Sequence, residues 1–199
     1  MFIKIGKGDM SKPATRPDAR TKLLDAALSV VRAKGYSVDA LCKEAGVTKG
    51  AFFHHFRSKD ELAIAAAEYW SDMTGTLFAD APYHELADPL ERVLAYLAFR
   101  KALLQGDVPD FTCLVGTMVQ ETYETVPAIR EACERSITGH AATLETDIEA
   151  AMGERGMTPD WTAKSLALHT QAVIQGAFIL AKATGGAAIA AESIDHLIR

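Results

Sequence analysis

The sequence predicts an all-α fold of about nine helices, with a small three-helix unit near the N-terminus and a larger helical body behind it. Apolar residues recur three and four positions apart along most of the chain, without convincing strand alternation or an internal repeat. Residues 37–62 contain two short helical segments around a tight turn. Two cap-plus-proline pairs, Asp88-Pro89 and Thr158-Pro159, mark the starts of helices in the body.

The first predicted helix covers residues 19–34 and ends at Gly35. Its apolar side chains recur at helical spacing and form one stripe: Leu23, Leu24, Ala27, Leu28 and Val31. A second helix is predicted over residues 38–45, with Ser37 as its N-cap. We expect Leu41 and Cys42 to face inward from this second helix.

The tight turn is Gly46-Val47-Thr48. Gly46 can adopt the left-handed conformation that ends one helix, and Thr48 can cap the next. The third helix is then short, residues 49–56, and Phe52 and Phe56 share its buried face because they are four residues apart. Two helices joined by such a turn, with the second as the recognition helix, form a DNA-binding helix-turn-helix.

The predicted DNA contacts belong to the turn, the third helix and the start of the fourth helix: Thr48, Lys49, Gly50, Phe53, His54, His55 and Lys59. Lys49 supplies a cation at the groove, and Gly50 permits close approach of the backbone. Ser58-Lys59-Asp60-Glu61 fits a capping box, so Lys59 and the N-terminus of the fourth helix would hold a phosphate.

The run AGVTKGAFFHHFRSKDEL, residues 45–62, resembles the N-terminal domain of TetR/AcrR-type transcriptional regulators. The matches to the family pattern lie at fixed spacing: Ala45, Gly46, Val47, Thr48, Gly50, His55, Phe56, Lys59 and Leu62. The resemblance covers residues 19–62 well and the remaining two-thirds by helical layout. It implies a homodimeric, ligand-responsive regulator that binds a palindromic operator, most simply a repressor that a small molecule releases from DNA.

Two departures from the family pattern bear on DNA binding. The family's tyrosine in the recognition helix is Phe53 here, so a hydroxyl that could bond a phosphate is missing. The link from Gly35 to Ser37 is also short for the family; either the loop is compact or the chain lacks residues there. These two features leave open an alternative function: a dimeric small-molecule-binding helical protein with weak or lost DNA binding.

The net charge is distributed unevenly along the chain. Residues 1–60 carry 12 Lys and Arg against 6 Asp and Glu, whereas residues 61–199 carry 9 against 20. The N-terminal three-helix unit, called the head below, is therefore basic and the body is acidic. This distribution is typical of a protein whose head binds nucleic-acid phosphates. Residues 1–18 are predicted to be a flexible basic arm, whose four cations, Lys4, Lys7, Lys12 and Arg16, could reach a minor groove. A disordered tail without function explains the arm equally well.

The predicted domains are the arm, a helix-turn-helix domain over residues 19–64, and an effector-binding and dimerisation domain over residues 65–199. The remaining helices are predicted at residues 59–78, 89–104, 113–123, 127–153, 159–184 and 188–198, with Pro82 as a breaker and residues 106–110 as a loop. The helix at 159–184 is apolar on nearly every face, which predicts burial on all sides. By resemblance, the last two helices form the homodimer interface.

The resemblance also places a ligand pocket inside the body. The inward candidates are large apolar residues with a few polar groups: Trp70, Met73, Phe99, Leu103, Met118, Tyr123, Trp161, His169 and Gln175. Any helical core needs similar residues, so ordinary packing is the competing explanation for each one. His169 and Gln175 are the sharper candidates, because a polar group on an apolar helix must find a partner.

Other functional classes find little support. The three cysteines, Cys42, Cys113 and Cys133, lack metal-type spacing, and buried packing explains them better than redox sensing does. We find no phosphate loop, dinucleotide motif or nucleophile elbow, so we expect neither an enzyme nor a cofactor. No signal peptide and no uncharged run of 18 apolar residues is evident, which predicts a cytoplasmic protein without a membrane span.

Overall fold

The computed structural model describes residues 18–34 and 37–199. The predicted basic arm, apart from Asp18, and the short link at residues 35–36 lie outside this description. Within it, ten α-helices and one 3-10 turn account for the regular structure, and strands are absent. The helices are α1 (Ala19–Lys34), α2 (Val38–Ala45), α3 (Lys49–His55), α4 (Lys59–Ala79), α5 (Pro89–Ala102), α6 (Val108–Phe111), α7 (Leu114–Thr122), α8 (Pro127–Glu154), α9 (Ala163–Thr184) and α10 (Ala188–Ile198).

The all-α prediction is confirmed, with two local corrections. The segment at residues 106–110 was expected to be a loop, but Asp107 and Asp110 form a capping box that starts the one-turn helix α6. Helix α9 begins at Ala163 rather than at Pro159. Its start is set by Thr162 and Ser165, whose side chains accept hydrogen bonds from each other's backbone N–H at 3.1 Å. That reciprocal pair satisfies two backbone donors, which Pro159 cannot do.

Two hydrophobic cores share α4. The first core joins α1, α2 and α3 to the start of α4 and to α7 and α8, and includes Leu23, Phe52, Leu62 and Met118. The second core lies in the body among α5, α8, α9 and α10, and receives Phe78 from the far end of α4. The predicted boundary at residues 64–65 therefore falls inside a continuous helix whose two ends are packed in different cores.

Helix α9 is not buried on all sides within a single chain. One face enters the second core through Ala167, Ile174 and Ala181, whereas Leu168, Ile179 and Leu180 are 39%, 48% and 45% exposed. Burial on all sides was predicted from the apolar composition, but a single protomer supplies neighbours for only part of the helix surface.

Candidate nucleic-acid interface and internal cavity

The turn between α2 and α3 has the geometry that its sequence predicts. Gly46 has φ of +62°, a left-handed conformation that glycine adopts without steric cost, and its N–H donates to the Lys43 carbonyl at 3.3 Å. The Thr48 hydroxyl accepts a hydrogen bond from the Ala51 N–H at 3.1 Å. Both caps fix the direction in which α3 leaves the turn.

Helix α3 is held by its two buried phenylalanines and presents its other face to solvent. Phe52 is fully buried and Phe56 nearly so, with their ring centroids 5.9 Å apart. Their predicted shared burial is confirmed. Phe53 packs edge-on against Phe52 yet remains 56% exposed, an unusually open position for a phenylalanine.

The residues predicted to contact DNA lie mainly on this open surface. Thr48, Lys49, Gly50 and His54 are exposed, while His55 is half-buried. Lys49 is paired with Asp39 of α2 at 2.7 Å, and the hydrogen bond to that carboxylate raises the pKa of the Lys49 ammonium. Since both side chains are largely exposed, the pair contributes little to stability and can be exchanged for another anion.

The start of α4 lies beside the end of α3. The Ser58 hydroxyl accepts from the Glu61 N–H at 3.1 Å, and the Glu61 carboxylate accepts from the Arg57 N–H at 2.7 Å. Lys59 occupies the first position of α4 and is exposed. The positive end of the α4 helix dipole therefore begins four residues after His55, the last residue of α3.

A cavity of about 930 Å³ lies in the body, within the size range of small-molecule sites. Its wall includes residues of α1, α4, α5, α7, α8 and α9. Four of the nine predicted ligand residues line it: Trp70, Met73, Leu103 and Gln175.

The other five predicted residues lie elsewhere, contrary to the inward placement expected for three of them. Phe99 packs edge-on against Phe78, with the ring centroids 5.6 Å apart, and borders the second core, whereas Met118 is buried in the first core. Tyr123 follows the end of α7 and Trp161 precedes the start of α9; both are exposed. His169 is exposed because it precedes the cavity-lining Gln171 by two residues, more than half a helical turn around α9.

The cavity also contains residues that sequence reasoning did not select. Gln171 and Phe178 line it in one stripe of α9 with the predicted Gln175, and Arg32 from α1 and Arg100 from α5 belong to the same wall. Burial lowers the pKa of the Arg32 guanidinium. Each arginine could have been selected from the sequence, because it is a charged residue on a largely apolar stretch of its helix. The same kind of argument selected Gln175.

A buried polar network forms part of the cavity wall. The Gln171 amide donates to the Tyr96 hydroxyl at 2.9 Å, and that hydroxyl lies 3.0 Å from Nε2 of His140. Burial, with a smaller contribution from the charge of Arg100, lowers the pKa of His140 to about 3. His140 is therefore neutral at physiological pH and serves as a hydrogen-bonding group.

The cysteines show no reactive pair. Cys42 and Cys133 are buried, and burial raises the pKa of the Cys133 thiol to about 12, which disfavours the reactive thiolate. Cys113 is half-buried at the cavity wall, where its sulfur accepts from the Gly116 N–H at 3.4 Å. The expected packing role fits Cys42 and Cys133.

Within residues 18–34 and 37–199, neither a metal-binding cluster nor a membrane-spanning helix is present. Across these ranges, the His, Cys, Asp and Glu side chains form no group of three that could hold a metal ion. None of the helices in the same ranges combines the length and the hydropathy required to span a lipid bilayer.

Comparison with known families gives two consecutive matches. Residues 23–66 match the family described as bacterial regulatory proteins, tetR family. Residues 89–189, half of the chain, match the family described as transcriptional regulator LmrA/YxaF-like, C-terminal domain. The first match covers the helix-turn-helix surface, and the second covers most of the cavity wall.

Individual proteins give the same result. The chain is 26% identical to the HTH-type transcriptional regulator LmrA of Bacillus subtilis over 167 residues, which cover 82% of this chain and 86% of that protein. It is 31% identical to the transcriptional regulator AcuR of Cereibacter sphaeroides, over 55% of this chain and 53% of AcuR. A solved TetR-family regulator from Agrobacterium tumefaciens superposes with a TM-score of 0.79 at 17% identity, over 90% of this chain and 95% of the other.

Proposed function

Because this chain belongs to the TetR family of bacterial transcriptional regulators, which bind operator DNA as dimers, we propose that it is a ligand-responsive repressor. The observation that carries this proposal is the exposed face of α3. It is fixed at one end by the Gly46 and Thr48 caps and anchored from behind by Phe52. A rigid reading helix of this kind contacts a major groove in known helix-turn-helix proteins.

In the proposed complex, α3 lies in the major groove, with Thr48 and Lys49 at the groove edge and Gly50 allowing close approach. His54 or His55 contacts the DNA backbone, and Lys59 with the N-terminus of α4 holds a phosphate. Lys49 exchanges Asp39 for a DNA phosphate. The exposure of Thr48, Lys49, Gly50 and Lys59 supports this arrangement.

Dimerisation would use the uncovered side of α9 together with α10. Leu168 and Ile179 are eleven residues apart, so they lie on one face of α9, and both are substantially exposed in a single protomer. An apolar helix face of this kind is stabilised by a second copy. A two-fold dimer would place two α3 helices on the two halves of a palindromic operator.

The proposed signal is a ligand in the cavity. Helix α4 lines the cavity through Trp70 and Met73, while its first turn carries Lys59 on the DNA side. A ligand that favours a different position of α4 would change the spacing of the two heads. Binding to two fixed half-sites would then weaken, provided that the ligand binds the released form more tightly.

The first test is binding of the purified protein to the promoter region of its own gene, titrated with salt beside a scrambled duplex of equal length. Tight, salt-sensitive binding with preference for the promoter is the expected result. The contrary result is equally weak binding to both duplexes, repeated with the other promoters of the same genomic region. That result would favour the alternative function, a helical ligand-binding protein in which the exposed Phe53 marks a lost DNA contact.

A further inference from the structure

Arg100 lies at the wall of the cavity and forms no ion pair with any residue that the structure describes. Its guanidinium lies over the rings of Phe78 and Phe178, at 5.2 and 5.7 Å from the centroids. Stacking holds the guanidinium plane but leaves its N–H donors unused. Among the described residues, no carboxylate, hydroxyl or carbonyl accepts a hydrogen bond from Arg100.

At His140, no described carboxylate offsets the positive charge of Arg100. It is the one charge that contributes to the lowered pKa of His140 within the described part of the chain, and no carboxylate opposes it. The cavity lining does include other charged residues, but those apart from Arg32 are solvent-exposed: Asp25, Glu68, Asp72, Asp110 and Arg135. Water screens exposed charges, whereas a charge against aromatic rings is screened much less.

Neutral hydrogen-bonding groups lie on the same side of the cavity. Gln175 has no hydrogen-bond partner among the described residues, and three residues later on α9 comes Phe178, which contacts Arg100. Room for the Gln175 amide depends on Gly116, where a Cβ would lie 2.2 Å from the Gln175 Oε1 atom. Gln171 already donates to the Tyr96 hydroxyl, so among the described residues Gln175 is the amide of this α9 stripe that remains available to a ligand.

Apolar and aromatic side chains form the part of the wall near Arg100 and Phe178. Phe111 packs on Phe178 with 6.3 Å between centroids, and Trp70, Met73 and Leu103 complete the surface. A ligand for this part of the cavity must match the Arg100 cation, the Gln175 amide and an apolar, aromatic area.

We propose that the cavity binds an organic carboxylate, whose anionic group pairs with Arg100 and whose aromatic or bulky apolar body lies against Phe111 and Phe178. Two parallel N–H···O bonds to a carboxylate match the guanidinium fork and satisfy its unused donors. Gln175 donates a further hydrogen bond to the ligand. The inference rests on the proposed function only in treating this cavity as the effector site.

The test measures ligand binding directly, without DNA, by titration calorimetry of the full-length protein. The probes are matched pairs of carboxylates and their neutral primary amides: benzoate, 2-naphthoate and decanoate, each beside its amide. In the unmodified protein, at least one carboxylate should bind about 10- to 100-fold more tightly than its amide, because a charged hydrogen bond contributes about 1.5–3 kcal/mol. Arg100→Gln should reduce that ratio to near one while leaving amide binding unchanged.

Two variants separate pairing from misfolding. Arg100→Lys keeps the charge without the fork and should retain part of the preference. Arg130→Gln removes an exposed charge of α8 outside the cavity lining and should retain all of it. Thermal melting confirms that each variant folds. Equal binding of carboxylates and amides, an unchanged ratio in Arg100→Gln, or no carboxylate binding at millimolar concentration would overturn the proposal. Promoter binding is measured in a separate experiment. Failure of the carboxylate proposal can therefore be distinguished from failure of the proposed DNA-binding function.

Discussion

The guanidinium of Arg32 lies over the indole of Trp70, 5.3 Å from the ring centroid. The same side chain donates to the backbone carbonyls of Asp110 and Thr112, at 3.2 Å each. Arg32 belongs to α1 of the head, whereas Asp110 lies in α6 and Thr112 in the link from α6 to α7, both in the body. One side chain therefore connects the head to the wall of the cavity.

Replacing Arg32 by methionine should lower the free energy of unfolding by about 1–3 kcal/mol, because two carbonyl groups lose a charged donor. Urea unfolding followed by circular dichroism measures this. Lys22→Met, an exposed change on the same helix, is the matched control and should have little effect. A decrease in the free energy of unfolding no larger than that of the control would show that the Arg32 contacts do not stabilise the attachment of the head to the body.

Asp39 and Lys49 form an exposed ion pair at 2.7 Å, so in the proposed complex Asp39 would compete with a DNA phosphate for Lys49. We expect Asp39→Asn to strengthen promoter binding, because it frees Lys49 and removes a negative charge near the phosphates. Lys49→Ala should weaken binding and reduce the salt slope by about one unit. Fluorescence anisotropy with a labelled duplex measures both. Lys164→Ala, an exposed change in the body, is the control and should leave DNA binding unchanged. Weaker binding by Asp39→Asn would instead mean that the ion pair positions Lys49 for DNA rather than competing with DNA for it.

Lys59 at the first position of α4 is expected to hold a phosphate. Lys59→Ala should weaken binding to all duplexes alike and reduce the salt slope by about one unit, because phosphate contacts carry no sequence information. The measurement compares promoter and scrambled duplexes over a salt series. An unchanged slope would remove Lys59 from the set of phosphate contacts, and a loss confined to the promoter would indicate base recognition.

Phe53 offers an exposed position for a hydroxyl on the face of α3. Phe53→Tyr should leave stability nearly unchanged and strengthen DNA binding by about 0.5–1.5 kcal/mol, the contribution of one hydrogen bond. Phe52→Tyr is the contrasting control: that ring is fully buried, so its added hydroxyl should destabilise the fold. Thermal melting and anisotropy measure both effects. Unchanged affinity in Phe53→Tyr would place position 53 away from the phosphates.

His140 should make the fold sensitive to acid. Its pKa is lowered to about 3 in the folded protein, so below about pH 6.5 the unfolded chain binds a proton that the folded chain does not. Stability is therefore lost as the pH falls from about 6.5 towards 3, with a slope of up to about 1.4 kcal/mol per pH unit. His140→Gln should reduce that slope in unfolding measured across this range. His169→Gln, on the exposed side of α9, should retain it, and equal slopes in both variants would contradict the assignment.

The head was predicted in detail because its signals are local. The Gly46 turn, the Thr48 and Ser58 caps and the spacing of Phe52 and Phe56 each depend on residues within one turn of helix, where sequence spacing fixes geometry. The start of α9 was missed because Thr158-Pro159 and the Thr162–Ser165 capping box are both plausible start signals a few residues apart. Only the capping box satisfies two backbone donors.

The sequence by itself determined the helical class, the helix-turn-helix and the family, since these depend on periodicity and on residues at fixed short spacing. Only the tertiary structure decided which of the nine candidate side chains line the cavity and which others join them. Arg32, Arg100, His140 and Gln171 come from four helices that are far apart in the chain, so no spacing pattern unites them. Tyr123, Trp161 and His169 resemble cavity residues in sequence, but helix ends and helix rotation turn them outwards. Burial depends on how helices are oriented against one another, and that orientation is a property of the packed fold.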